Sequence, residues 1–203
     1  KAHQYVNGID TFLEKTEKIG KVNLTKTAKI ERARKAYDFL NEQQKKEDAV
    51  QKAFQILSKA ETKLKDAKTA DNVVQAIKAL GEIVTLDSEE DIESVRAAYE
   101  RLTDSQKTFV TNIDKLKEQE DGLKKLQQQE ENKEAAHKVS DLIDKIGRVT
   151  ANSADDLRQA RTAYDALEND EAKRMVSNYI QLEDGEKIYA TLQHENIIYD
   201  VVD

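Results

Sequence analysis

A short pattern of apolar residues around an arginine and a tyrosine occurs three times in this chain, and it constrains the fold more than any other feature. IERARKAYDFL begins at Ile30, IESVRAAYERL at Ile92 and LRQARTAYDAL at Leu157, which places Tyr37, Tyr99 and Tyr164 at 62 and 65 residues apart. A glycine precedes each motif: Gly20 in KIGKV, Gly81 in ALGEIV and Gly147 in KIGRV. A glutamate follows each: Glu61 in LSKAETKL, Glu120 in LKEQEDGL and Glu186 in LEDGEKIY. Landmarks recurring in one order at nearly one spacing mark tandem units of about 65 residues.

Each unit reads as three helices, A, B and C. The 203 residues contain no Pro, the residue that removes a backbone donor and clashes with the preceding turn. Ala, Leu, Lys, Glu and Gln, which lose little side-chain entropy in a helix, are abundant. In the second unit, helix A carries Val73, Val74, Ile77 and Leu80 and ends at Gly81, a residue suited to a left-handed cap. Helix B is expected after Ser88, with Ser88 to Asp91 as a capping box, and its stripe of Ile92, Val95, Tyr99 and Leu102 steps by three and four. Helix C opens at Thr103-Asp104-Ser105-Gln106 and continues through Phe109, Val110, Ile113 and Leu116 to Leu126, with a break expected at Thr111-Asn112. In the third unit Ser153 is the expected cap of helix B and Asn169 that of helix C. The first unit has Lys26 where the others have serine, so Thr25 or Thr27 is expected to cap. Its helix A is longer before the glycine by seven residues, one heptad, which roughly preserves the buried face.

The expected fold class is all-α, as tandem spectrin-like three-helix bundles in an elongated array. The modules are assigned to residues 1–68, 69–131 and 132–193, with 194–203 as the start of a further module, because Asn196 to Val201 repeats the pattern of Asn72 to Ile77. QQQEENKEAAHK, between Leu126 and Val139, is polar but free of Gly and Pro, so a continuous helix is expected across the second junction. At the first junction Thr69 or Asp71 offers a cap and a kink. Lys1 in place of an initiator Met marks the sequence as a processed or excised piece, and the chain is read as part of a longer array.

Charge narrows the partners. The net charge of −7, with both signs interspersed, opposes nucleic acid or anionic membrane as the main partner. No apolar run approaches the length of about 18 residues that a membrane span needs. The absence of Cys excludes disulfides, thiolate zinc sites and cysteine nucleophiles.

The pattern V-x-x-L-I-D-x-I-G-x-V-T from Val139 to Thr150, A-R-x-A-Y-D-x-L from Ala160 to Leu167, and Q-K-x-x-V-T-N-x-x-x-L-x-x-x-E from Gln106 to Glu120 resembles repeats in secreted and wall-attached proteins of Gram-positive bacteria. The resemblance covers nearly the whole chain and is weakest in the first unit. It implies three-helix modules beside adhesin, surface-layer or glycan-acting domains, and an extracellular, cell-wall-associated setting. It names no ligand.

Arg34, Arg96 and Arg161 are the most suggestive polar residues. They would form either an arrayed anion or glycan site, or internal pairs with helix C of their own unit: Arg34 with Glu61, Arg96 with Glu120 and Arg161 with Glu186. Internal pairing is preferred, because an arginine fork at a bundle edge holds a carboxylate while its stem packs on the core. The recurring tyrosines suit core packing with a wet hydroxyl; Tyr5, Phe39, Tyr179 and Tyr189 are better contact candidates. His3, His137 and His194 lack ligand spacing, and Glu89-Glu90 and Asp155-Asp156 fall in first helical turns where the dipole favours them. No phosphate loop and no catalytic constellation can be assembled, so no catalytic, cofactor or metal residue is assigned and the chain is not expected to be an enzyme. The expected function is a monomeric spacer or stalk whose partners are neighbouring domains of the same polypeptide. The alternative is an adhesin-type module for a host protein or cell-wall glycan; a third reading, an intracellular spectrin-like scaffold, is disfavoured by the resemblance.

Overall fold

A computed structural model describes the backbone of residues 2–200 and the side chains of residues 7–194. Among the described residues the only regular elements are helices. The chain divides into two compact units, Lys1–Gly122 and Leu123–Asp203. This division falls inside one helix. His3, Tyr5 and the expected start of a further module at Asn196 to Val201 lie outside the residues whose side chains are described.

The first unit contains α1 (Ala2–Glu17), α2 (Thr27–Asp38), the short α3 (Glu42–Lys45), α4 (Asp48–Ala79), α5 (Glu89–Glu100), the short α6 (Asp104–Lys107) and the beginning of α7 (Ile113–Ile146). α1, α2 and the first half of α4 close around Phe12, Ile30, Ala33 and Leu57, all at most 2% exposed. The second half of α4 carries Val73 and Ile77, buried like Ile92 and Val95 of α5 and Leu116 of α7. In the second unit the rest of α7, α8 (Ala154–Asp165), α9 (Asp170–Met175) and α10 (Tyr179–Asp200) bury Val139, Ile143, Leu157, Ala160 and Leu182. Leu57, Leu116 and Leu182 occupy one position of the repeat, and each is fully buried.

α4 runs without a break through the first junction, where a cap and kink were expected. The physical reason is its stripe: Leu57, Ala60, Leu64, Ala67, Ala70, Val74 and Ile77 keep a buried row in steps of three and four, so packing carries the helix past Thr69. Thr69 points its hydroxyl back to the Lys65 carbonyl at 3.1 Å and caps nothing. α7 is one helix through QQQEENKEAAHK.

The helix starts are capped differently from the sequence expectation. Ser88 already has helical torsions (φ −79°, ψ −5°), and its hydroxyl makes no cap bond to α5. It accepts the Thr85 N–H at 3.1 Å and closes the 3-10 turn Leu86–Ser88 that leads into the helix. Ser153 likewise accepts the Thr150 N–H at 3.0 Å. In the first unit neither Thr25 nor Thr27 caps: Asn23 accepts from Thr25 N–H at 3.0 Å, while the Thr27 hydroxyl donates to the Leu24 carbonyl at 2.7 Å. Thr103 and Asn169 do cap α6 and α9 through the Gln106 and Ala172 N–H groups. Gly20 and Gly147 adopt the left-handed region at φ 63° and 53°, whereas Gly81 does not. α4 instead ends at Ala79, and Leu80 leaves the helix at ψ 129°; Lys115 Nζ donates to the Lys78 carbonyl at 3.4 Å and to that of Leu80 at 2.6 Å, and Gln119 Nε2 to that of Gly81 at 3.2 Å.

Candidate functional site

The recurring arginine sits on the second helix of each repeat, one turn before the recurring tyrosine, and helix packing brings it to the last long helix. Arg34 of α2 donates through Nε and one terminal nitrogen to the two carboxylate oxygens of Glu61 at 2.7 and 2.5 Å. Arg96 of α5 does the same to Glu120 at 2.5 Å for both bonds. Arg161 of α8 reaches Glu186 at 2.8 and 2.6 Å. These are parallel fork-to-carboxylate bonds, the geometry in which a guanidinium is most specific. Each pair is about one-third exposed, with side-chain exposures between 29% and 35%. In all three the carboxylate bond holds the arginine above its ordinary pKa, against the opposing effect of burial.

Around each pair lies a second layer absent from the sequence expectation. The acid one turn after the arginine, Asp38, Glu100 or Asp165, approaches its other terminal nitrogen at 3.7, 3.4 and 3.7 Å. The tyrosine ring lies 5.5, 5.4 and 5.6 Å from its guanidinium carbon. A lysine from the short helix, Lys45, Lys107 or Lys173, stands 5.5, 5.0 and 5.8 Å from the same ring. Each tyrosine thus has two cations within cation–π reach, contacts that stabilise by roughly 0.5–1 kcal/mol each at exposed positions. The signal was present in the sequence as a lysine eight or nine residues after each tyrosine. Lys107 also bonds Glu100 at 2.9 Å, and that bond, more than the nearby Arg96, lowers the Glu100 pKa.

Further aromatic rings complete two of the three clusters. Tyr37 stacks on Phe54 at 4.3 Å and Tyr164 on Tyr179 at 4.1 Å. The Tyr179 hydroxyl also accepts a bond from Arg161 at 3.2 Å, so this contact candidate is spent inside the fold. Burial is the main cause that raises the Tyr164 pKa. Tyr189 packs beside the second unit's core, and its hydroxyl accepts from Gln193 at 2.9 Å. Phe39 alone of the described contact candidates faces solvent, 90% exposed.

No family model, curated protein or solved structure matches this chain. The chemistry of the site therefore rests on its geometry. Two forked bonds and an adjacent acid occupy each guanidinium, which leaves little of it for an external anion. Neither His137, 3.4 Å from Asp141 on the surface of α7, nor His194 joins a second ligand, and among the described residues no three His, Asp or Glu side chains are grouped to hold a metal. Asp155 is paired with Arg158 at 2.5 Å in the first turn of α8. No helix of the described residues is long and apolar enough to cross a membrane.

Two asparagine tethers were not foreseen. Asn112 donates to the Val74 carbonyl at 3.0 Å, and Asn178, 66 residues later, donates to the Ser140 carbonyl at 2.9 Å and to Asp144 at 2.7 Å. A second tether links the short helix to the preceding long one: Ser105 donates to Asp66 at 2.7 Å, and Asn169 to Asn132 at 2.9 Å. The V-T-N and V-S-N tripeptides at 110–112 and 176–178 carried the first of these signals. A cleft of about 830 Å³ in the first unit opens between the turn after α1 and the turn before α7, with Lys21, Lys63, Lys78 and Phe109 on its walls.

Proposed function

We propose that this chain is a non-catalytic spacer: tandem three-helix modules in an elongated array, part of an extracellular, cell-wall-associated bacterial surface protein. It holds neighbouring domains of the same polypeptide apart and acts as a monomer. One observation carries the reading. The recurring arginine, the residue of the repeat best suited to hold an external anion, has its fork filled by a glutamate of its own repeat in all three copies. A repeat whose most reactive polar group is committed internally serves construction. The elongated array follows from the tandem repeat and its unbroken junction sequences, and the cellular setting from the resemblance of those repeats. Small-angle scattering tests the array. A compact 203-residue globule has a radius of gyration of about 17 Å; the spacer requires a value well above that, and a compact value sinks it.

A second reading, an adhesin-type binding module for a host protein or wall glycan, is favoured by a different observation. Phe39 is a fully presented aromatic ring in the first repeat, where a pure spacer has no use for one.

A further inference from the structure

The first repeat differs from the others on the face formed by α1 and α2. Phe39 closes α2 and is 90% exposed. Beside it lies a pocket of about 330 Å³, floored by Gly8 and Ala36 and rimmed by Lys15, Arg32 and Lys35. A neighbouring cleft of about 220 Å³ shares Lys15 and Arg32 and adds Lys18 and Lys29. Among the described residues, five cations line these two adjoining pockets, and the one acid there, Glu14, is already paired with Lys18. The acids of α2 nearest to them, Glu31 and Asp38, line a separate groove with Arg34, and Lys35 borders both. Among the described residues no carboxylate is ion-paired with Lys15, Lys29, Arg32 or Lys35.

The repeat supplies its own control. The positions of Lys29, Arg32, Lys35 and Phe39 are Asp91, Ser94, Ala97 and Arg101 in the second repeat, and Asp156, Gln159, Thr162 and Ala166 in the third. A basic, aromatic groove is thus not needed to build the module. It is confined to one repeat of a chain whose net charge is −7. Lys29, Arg32, Lys35 and Phe39 step by three and four along one face of α2, a row about 15 Å long.

We propose that this groove docks an acidic segment of another protein, with carboxylates spaced along Lys29, Arg32, Lys35 and Lys15 and one apolar side chain seated on Phe39 over Gly8 and Ala36. The inference rests on the binding reading above and names its partner class. Charge complementarity selects an acidic partner and steers its approach. The apolar pocket selects a protein segment over a uniformly charged polymer, because such a polymer has nothing to place against Phe39. Helix-in-groove recognition by anchors every three or four residues fits the row.

The test is a selection of helical peptides from a random display library on the immobilised full chain. The isolated peptides are then titrated against wild type, R32E/K35E and F39A. All three substituted side chains are exposed, so thermal melting of the variants is expected to match wild type. The expected result is enrichment of peptides with carboxylates at three- or four-residue spacing and one large apolar residue at an end. Their affinity should fall at least tenfold on R32E/K35E, about fivefold on F39A, and steeply with added salt. Enriched peptides that bind wild type and both variants equally would overturn this groove while leaving the binding reading in place. No enriched peptide at all would overturn both. Binding of heparin or phosphatidylglycerol vesicles that ignores F39A, without acidic-peptide binding, would assign the groove to a polyanion or a lipid surface and overturn the proposal.

Discussion

The first and second repeats share one arginine–glutamate frame and differ in the side chains packed around it. Arg34–Glu61 and Arg96–Glu120 have the same forked geometry and the same neighbouring tyrosine and lysine. Leu57 and Leu116 are equally buried. Yet where the first repeat stacks Phe54 on Tyr37, the second places Ile113, and where the first shows Arg32, Lys35 and Phe39, the second shows Ser94, Ala97 and Arg101. What recurs is the apparatus of folding; what varies is available for recognition. The recurring arginine is turned to the glutamate of its own repeat, and the side chains that set the first repeat apart lie elsewhere on α2.

The comparison breaks most visibly in the core. Leu57→Ala, Leu116→Ala and Leu182→Ala should each cost about 2–5 kcal/mol in urea unfolding, since each removes a fully buried side chain and leaves a cavity. A loss under about 1 kcal/mol at any one of them would show that the three interiors are not equivalent. The next effect sharpens a difference in packing. Ala33 and Ala160 are fully buried at the position that Val95 fills in the second repeat. Ala160→Val should overpack by about 1–3 kcal/mol, and the melting temperature of the variant reads it.

The aromatic layer comes third. Tyr179→Ile, which installs the residue of the second repeat, should cost about 1–2 kcal/mol by losing both the stack on Tyr164 and the bond from Arg161. The reverse change, Ile113→Tyr, should be neutral or stabilising by up to about 1 kcal/mol. Calorimetry of the pair compares the two signs directly.

The smallest effect is electrostatic. Lys107 and Arg96 lower the pKa of Glu100 from 4.5, so its folded-state value lies below its unfolded one. Its contribution is therefore present at neutral pH and is lost as pH falls through the lowered value. Wild type should exceed Glu100→Gln in melting temperature at neutral pH, by a small margin that closes on acidification. A margin that widens in acid would reverse the assignment.

The all-helical class and the arrangement of each arginine and glutamate were legible because both depend on spacing. Tyr37, Tyr99 and Tyr164 recur with their stripe, and a helix converts that spacing into a face. Caps were less legible. Ser88 and Ser153 precede their helices as a cap should, but a tight turn runs directly into each helix, and the hydroxyl accepts from the residue three positions before it. The kink expected at Thr69 was overruled by the alanine and valine row of α4, since tertiary burial outweighs a local capping signal. The asparagine tethers were illegible for a different reason. Asn112 finds the Val74 carbonyl 38 residues away, and no local pattern announces which distant backbone group a side chain will meet. Phe39 was readable as an unmatched aromatic, but the basic row beside it emerges only when α1 brings Lys15 alongside α2.

The recurring arginine belongs to the scaffold, bound by a glutamate of its own repeat. A double-mutant cycle on Arg161→Ala and Glu186→Ala, followed by urea unfolding, tests it most directly. The two side chains are about one-third exposed, so solvent screening limits the pair itself to about 0–1 kcal/mol. Arg161→Ala should cost about 1–2 kcal/mol, including lost stem packing, with a favourable coupling of about 0.5–1 kcal/mol to Glu186. Single variants as stable as wild type, with additive effects and no coupling, would contradict it and return the arginine to the list of candidate ligand sites.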